Sequence, residues 1–222
     1  MSAQYPTEAD VEAGQAVYTP LVLAFYDLFV LGFSSRFAWR CSSSDMLAFY
    51  DRNVGAKHLD VGVGTGFFLD KCRWPVERPE LVLLDLNEHS LKAAARRIQR
   101  YRPKAVRGDA LRPVDLGGAR FDSIGMNFLL HCLPGPLEQK SATVVDNLKP
   151  HLASGGAVFG STILGRGVKH NALGRGLMRV YNKKGIFSNL EDDVEGLQRA
   201  LAAEFGKVQV ELVGAVALFA AR

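Results

Sequence analysis

"HLDVGVGTGFFLD", residues 58–70, places three glycines at alternate positions directly after an apolar run. Glycine weakens the interior of a strand or a helix, so three glycines this close together indicate a backbone that turns tightly or approaches a ligand. The stretch therefore predicts a buried strand that ends in a glycine-rich turn.

The residues around this turn alternate between strand-like and helix-like patterns. Further strands are predicted at residues 80–86, 104–109, 121–128 and 156–164, and in two short runs within 208–221 around Gly214. Helices are predicted at residues 21–39 with a break near Gly32, at 88–101, at 137–152, and at 190–205 with Asn189 as the N-cap. The last two strands have so short a connection that they must be antiparallel.

Alternation of strands and helices is typical of an open α/β sheet. We expect one domain over residues 1–222, with a doubly wound, mostly parallel, seven-stranded sheet whose last strand is antiparallel. Residues 54–222 would form the ligand-binding core, and residues 1–53 an N-terminal helical extension.

Composition bounds the class of protein. The chain has 222 residues, of which 48% are apolar, and a net charge of +4, which is weak support for an anionic partner. Its three cysteines have neither zinc-site nor paired spacing, which predicts reduced thiols, no metal site and a cytoplasmic location. The N-terminus lacks the pattern of a signal peptide, and the early apolar run 21–33 contains Asp27 and is too short for a membrane span.

Ligands of such sheets bind at the carboxyl ends of the strands. The glycine spacing does not fit a dinucleotide, because Phe67 stands where that motif has its third glycine. Asp60 precedes the turn, where it would repel a pyrophosphate and attract an ammonium group.

Two more strand ends carry carboxylates. Asp85 can accept hydrogen bonds from both hydroxyls of a ribose. Asp109 can accept from the exocyclic amine of adenine, with the N–H of Ala110 on a ring nitrogen. Ammonium, ribose and adenine together describe S-adenosylmethionine.

Four segments in order resemble the motifs of class I S-adenosylmethionine-dependent methyltransferases: LDVGVGTG (59–66), the strand end at Asp85, GDA (108–110) and FDSIGMNFLLHCLPG (121–135). The resemblance runs from about Val54 to the C-terminus. FYDLFVLGFSSRFAWR (25–40) is more loosely similar to a segment of quinone C-methyltransferases. The resemblance implies S-adenosylmethionine as methyl donor, S-adenosylhomocysteine as product, and these cofactor-binding residues: Asp60, Gly62, Gly64, Thr65, Asp85, Leu86, Asp109, Ala110, Asn127 and Phe128.

Candidates for acceptor chemistry are fewer. His131, just past the fourth strand, is a candidate general base, or else a structural histidine at a helix start. The resemblance implies that the N-terminal extension, residues 1–53, is a lid that closes over the donor. On this lid Tyr18 is a candidate catalytic residue and Tyr26 a candidate substrate-binding residue, although aromatic residues there can simply pack. Arg175 and Arg179, in a segment without acidic residues, could bind an anionic acceptor, could form a solvated basic face, or could lie on a membrane surface.

The segment after the fourth strand constrains the acceptor. The sequence there is NFLL, which lacks the Asn/Asp-Pro-Pro-Tyr/Phe stretch of methyltransferases that act on DNA or glutamine amines. Without a separate nucleic-acid module, a small molecule is expected, such as a phenol, quinone, carboxylate or secondary metabolite. Two alternatives are a non-methylating enzyme on this fold and a regulatory protein that binds the cofactor without turnover.

Overall fold

A computed structural model describes residues 27–222, with side chains from residue 33 onward. The strands of this part are β1 (Lys57–Val61), β2 (Glu80–Asp85), β3 (Lys104–Arg107), β4 (Phe121–Asn127), β5 (Leu152–Ile163), β6 (Val208–Val213) and β7 (Val216–Ala221). They form one seven-stranded sheet in the order β3-β2-β1-β4-β5-β7-β6. Among these strands β7 runs in the direction opposite to the other six and is antiparallel to both of its neighbours, β5 and β6, which confirms the predicted fold class.

Helices cover both faces of the sheet. They are a π-type helix α1 (Asp27–Ala38) and the α-helices α2 (Ser43–Asn53), α3 (Phe67–Lys71), α4 (Glu88–Arg97), α5 (Leu137–Leu148), α6 (Ala172–Lys183) and α7 (Val194–Glu204). In the described part of the chain, no helix is long and apolar enough to cross a membrane.

The sheet separates two apolar cores. Side chains of α2 and α4, such as Phe49 and Leu91, pack on one face, and side chains of α5 and α7, such as Val144 and Leu197, pack on the other. In β7, Leu218 belongs to the first core and its neighbour Phe219 to the second. Continuous apolar runs are therefore required in central strands that are covered on both faces.

The hairpin between β6 and β7 depends on Gly214. Its φ of 61° is in the left-handed region, and a Cβ there would overlap the carbonyl oxygen of Trp39. The N–H of Ala215 also donates to that carbonyl, at 2.8 Å. The hairpin is thereby tied to the segment between α1 and α2.

Two predicted helix features are wrong. Helix α1 continues through Gly32, because a glycine inside a helix costs only about 1 kcal/mol and does not by itself end it. Helix α7 begins at Val194 rather than Leu190, with Asp193 as N-cap, since its side chain accepts from the N–H of Gly196. The side chain of Asn189 instead donates to the carbonyl oxygen of Ile163 inside the core.

Candidate functional site

A cleft lies where β1, β2, β3 and β4 end. Because the carboxyl ends of parallel strands meet at one edge of a sheet, residues just beyond different strands converge there. Its lining includes all ten predicted cofactor residues: Asp60, Gly62, Gly64, Thr65, Asp85, Leu86, Asp109, Ala110, Asn127 and Phe128.

The three glycines of the turn after β1 all have left-handed φ, between 52° and 73°. A Cβ on Gly62 would lie 2.9 Å from Cδ1 of Leu129, and one on Gly66 would lie 3.0 Å from Cα of Ala94 in α4. A Cβ on Gly64 would meet no atom within 4 Å. Gly62 and Gly66 therefore allow close packing, whereas Gly64 leaves the floor of the cleft open.

Asp85 is the carboxylate at the end of β2. One of its oxygens accepts from the N–H of Asn87 at 2.8 Å, and the N–H groups of Gly64 and Val63 also hydrogen-bond to it. Burial raises the pKa of Asp85 to about 6 despite these donors, and the charge of Asp60 adds to the rise. The carboxylate is thus held at the cleft wall in a form that is ionised above pH 6.

The loop after β3 is fixed by its own hydrogen bonds. Asp109 Oδ1 accepts from the N–H of Leu111 at 2.9 Å, and its Oδ2 lies 3.8 Å from Nε of Arg112. The carbonyl oxygen of Ala110 accepts from Nδ2 of Asn147 in α5, at 3.0 Å. Asp109 and Ala110 are therefore oriented before any ligand arrives.

Asn127 and Phe128 form the wall after β4. The Oδ1 of Asn127 accepts from Oγ of Ser161 at 3.0 Å, but its buried Nδ2 has no acceptor among the described residues. Phe128 has a φ of 57°, a strained conformation for a residue with a side chain. Unpaired buried donors and strained residues are typical of binding sites, because the ligand supplies what the fold leaves unsatisfied.

This set of groups fits S-adenosylmethionine. Asp60 and Asp85 offer carboxylates for an ammonium group and a ribose, Asn127 offers an amide N–H, and Gly64 leaves room at the turn. Phe67 lines the cleft at the position where a dinucleotide motif requires glycine, so the arrangement does not suit NAD.

Comparisons with known proteins agree with this geometry. Residues 59–158 match a family model described as a methyltransferase domain. Over 208 residues the chain is 40% identical to demethylluteothin O-methyltransferase of Streptomyces thioluteus, and the match covers 94% of this chain and 90% of that one. The chain belongs to the class I S-adenosylmethionine-dependent methyltransferases.

A second relative of this methyltransferase is the physcion biosynthesis cluster O-methyltransferase of Aspergillus chevalieri. The two are 40% identical over 218 residues, or 97% of each chain. A solved structure described as a DhpI–SAH complex superposes with a TM-score of 0.70 over 98% of both chains. At 14% sequence identity, that likeness shows a shared fold.

Several functional candidates do not lie in the cleft. His131 is 2% exposed, and its Nδ1 accepts from the N–H of Ile163 at 3.3 Å, although Cys132 and Leu133 beside it do line the cleft. Arg175 and Arg179 share an exposed face of α6 outside the cleft lining. Tyr18 and Tyr26 lie outside the described residues.

Sequence reasoning missed a support behind the glycine turn. Nη1 of Arg97 lies 3.2 Å from Oγ1 of Thr65, and Nε lies 3.5 Å from Oδ2 of Asp70. Asp70 also pairs with Arg100 at 2.7 Å. The local sequence around Asp70 is that of an ordinary surface residue. In the structure, however, its carboxylate pairs with Arg97, and Arg97 in turn contacts Thr65 of the glycine turn. The one signal in the sequence is the spacing of Arg97 and Arg100 on one helical face.

His131 is expected to support the fold rather than act as a base. Burial, with a smaller effect of the Lys140 cation, lowers the pKa of His131 to about 3, so its ring is neutral at working pH. Replacing His131 with alanine should lower the free energy of unfolding by about 2 kcal/mol at pH 8, because the ring packs 4.5 Å from that of Phe187. Urea unfolding and kcat of the folded variant measure the two effects.

The pH dependence gives a control. A histidine with a folded-state pKa below its unfolded value stabilises the protein fully above about pH 6.5 and loses that contribution as pH falls toward 3. The difference in free energy of unfolding between wild type and His131→Ala should therefore be smaller at pH 5 than at pH 8. A large loss of kcat with unchanged stability would instead make His131 the general base.

Proposed function

We propose that this methyltransferase transfers a methyl group from S-adenosylmethionine to a hydroxyl oxygen of a small, apolar, aromatic acceptor. The observation that carries the proposal is the apolar part of the cleft lining, which accompanies the polar part with its carboxylates. It is lined by Phe67, Phe68, Phe128, Leu129, Leu133 and Pro134. Aromatic and aliphatic walls of this kind suit a flat aromatic ring. The relatives from Streptomyces thioluteus and Aspergillus chevalieri are both named O-methyltransferases.

The polar part would hold the donor. Asp60 would accept from the ammonium group and Asp85 from the ribose hydroxyls, beside Leu86. Asp109 and the N–H of Ala110 would bind the adenine edge. The remaining predicted cofactor residues would shape the wall around the methionine part: Gly62, Gly64, Thr65, Asn127 and Phe128.

The donor supplies a methyl group on a positively charged sulfur. The protein's contribution is position, because methyl transfer needs the acceptor oxygen in line behind the methyl group. Among the described residues that line the cleft there is no histidine, lysine or tyrosine to remove a proton. The cleft therefore favours acceptors whose hydroxyl ionises readily, such as acidic phenols, and walls that exclude water.

A transfer assay tests the acceptor class. With donor labelled in its methyl group, phenols are expected to be methylated on oxygen, and amines and aliphatic carboxylates of matched size are not. Across phenols of graded acidity, kcat/KM should rise with pH until the phenol itself is ionised, because no histidine, lysine or tyrosine among the described residues of the cleft lining can remove its proton. Label on nitrogen or carbon, or binding of the donor without transfer to any phenol, would contradict the proposal.

The same assay examines the arginine hypothesis. Arg175 and Arg179 are exposed on α6, where Nη1 of Arg175 bonds the carbonyl oxygen of His170. If they steer an anionic acceptor, replacing both with glutamine should raise KM only for phenols that carry a second acidic group. Equal KM for charged and neutral phenols would assign them to the solvated basic face. We further propose that residues 1–222 form a single domain and that the N-terminal extension, residues 1–53, supplies a lid. Within that extension, α2 itself packs into the core through Phe49 and Tyr50.

We also propose a cytoplasmic location. None of the three cysteines, Cys41, Cys72 and Cys132, forms a disulfide. Burial raises the pKa of Cys41 to about 12, and the pKa of Cys72 is likewise raised by burial, so neither is reactive at neutral pH. Cysteines that form no disulfide are usual in a reducing compartment.

A further inference from the structure

A chain of buried polar side chains leads to Asp60 from behind the cleft. Oγ of Ser123 lies 2.8 Å from Nδ1 of His58, and Nε2 of His58 lies 2.8 Å from the hydroxyl of Tyr50. That hydroxyl donates to Oδ1 of Asp60 at 3.3 Å. Ser123 and His58 are fully buried and Tyr50 is 1% exposed, whereas Asp60 itself lines the cleft.

The hydrogen-bond donors of this series of side chains can all be oriented in one direction, toward Asp60. Ser123 Oγ accepts from the N–H of Gly55 at 2.7 Å, which leaves its own hydrogen for Nδ1 of His58. Nε2 then carries the hydrogen of the ring and donates to Tyr50. Burial and the nearby Asp60 carboxylate raise the pKa of Tyr50 well above 10, so it stays a neutral hydroxyl that donates to Asp60. Aligned donors strengthen one another inside a protein.

The sheet is built to hold these groups. His58 and Asp60 are two residues apart on β1, so their side chains leave the same face. Opposite Asp60 in the register, β4 has Gly125. A Cβ there would lie 2.9 Å from Cε1 of His58 and 3.2 Å from Oδ1 of Asp60, so a glycine is needed to make room.

The surroundings are aromatic. The ring of His58 lies 5.8 Å from those of Trp74 and Phe159, and Tyr50 stacks on Phe68 at 5.7 Å with an angle of 9°. Burying polar groups among aromatic rings carries a free-energy cost of desolvation, which apolar residues at the same positions would not have. Phe68 also lines the cleft, so these aromatic side chains reach the binding site.

We propose that Tyr50 and His58 are positioning residues that hold the Asp60 carboxylate in the orientation that binds the ammonium group of the methyl donor. The series of hydrogen bonds that begins at Ser123 fixes Oδ1 of Asp60 through protein dipoles, where mobile water would otherwise solvate it. Asp60 then meets the ammonium group without having to be reoriented. This inference rests on the proposed contact between Asp60 and that ammonium group.

Two probes separate positioning from general support of the fold. S-adenosylhomocysteine carries the ammonium group, and 5′-methylthioadenosine has the same nucleoside and sulfur without the amino-acid part. In Tyr50→Phe, which removes one oxygen, calorimetry should show about tenfold weaker binding of S-adenosylhomocysteine. Binding of 5′-methylthioadenosine should be unchanged. Ser123 lies at the far end of this series of hydrogen bonds. Ser123→Ala should therefore also raise the Kd for S-adenosylhomocysteine, but by less than Tyr50→Phe does.

A double-mutant cycle completes the test. Asp60→Asn should also weaken only S-adenosylhomocysteine, and Tyr50→Phe added to it should have no further effect. Leu59→Ala is the matched control, since Leu59 is fully buried on β1 but packs in the opposite core. It should destabilise the protein and leave the ratio of the two Kd values alone.

Four outcomes would overturn the inference. Equal weakening of both probes in Tyr50→Phe would make its role structural, and unchanged binding of both would show no role. An additive double variant would show that Tyr50 does not act through Asp60. If Asp60→Asn leaves the affinity for S-adenosylhomocysteine unchanged, the contact with the ammonium group is itself wrong, whatever Tyr50 does.

Discussion

Replacing Lys140 with methionine is expected to lower the free energy of unfolding by about 3–5 kcal/mol, the largest loss of stability that we expect from one substitution. Nζ of Lys140 lies 2.8 Å from Oδ2 of Asp192, and both side chains are 1% exposed. Nζ also donates to the carbonyl oxygens of Leu133 and Ser188, at 3.1 and 2.6 Å. Methionine fills the space but leaves a buried carboxylate and two partly buried carbonyl groups without their cation.

The pH dependence of this loss follows from Asp192. Burial raises the pKa of Asp192 to about 6, although the Lys140 cation lowers it in part. Without that cation the carboxyl takes up a proton more readily in the folded state, which relieves the unpaired charge. The loss in Lys140→Met should therefore be largest near pH 8 and smaller near pH 5.

Two comparisons make the measurement decisive. Adding Asp192→Asn to Lys140→Met should recover much of the lost stability, because it removes the unpaired charge. Lys92→Met, at an exposed pair with Glu88, should change little. A loss in Lys140→Met that is no larger than that of Lys92→Met would show that the buried pair does not stabilise the fold.

Replacing Asp85 with asparagine is expected to weaken binding of S-adenosylhomocysteine by about 1–3 kcal/mol, or roughly 5- to 150-fold in Kd at pH 7.5. The carboxylate can accept from both ribose hydroxyls, whereas an amide offers one acceptor oxygen. In the wild type, affinity should fall as pH drops below 6, because the pKa of Asp85 is raised to about 6 by burial and the protonated acid accepts poorly. Asp85→Asn should not show that fall.

The same substitution should stabilise the protein without ligand. A carboxyl whose folded-state pKa is above its unfolded value of 3.8 binds protons more strongly when folded, so it destabilises the fold at pH 7.5 and less so as pH falls through 6. Removing the charge removes that penalty. Asp115→Asn, on an exposed loop, should change neither affinity nor stability. Unchanged affinity in Asp85→Asn would exclude the ribose contact.

The sequence by itself determined the fold class and the edge of the sheet where ligands bind. Central strands such as β2 were marked by local runs of apolar residues, and each predicted cofactor residue comes at or a few residues after the end of a predicted strand. Because parallel strands end at one edge, order along the chain was enough to place Asp60, Asp85, Asp109 and Asn127 in one cleft. Whether each of them contacts the donor stays a prediction.

Boundaries of helices depended on contacts that are not local. Residues 190–193 have a helical pattern, but Asn189 and Asp192 are drawn into the core by Ile163 and Lys140 before α7 begins. Their side chains satisfy buried groups there, and that gain exceeds the weak local preference for one more turn of helix.

Only the tertiary structure decided what the remaining polar residues do. His131 has the sequence position of a base, yet the fold buries it against Ile163 and keeps it neutral. His58 reads as part of an apolar strand, yet the fold places its ring between Ser123 and Tyr50, behind the cleft. The ionisation and the hydrogen bonds of a side chain depend on its burial and on partners from distant segments, and local sequence carries neither.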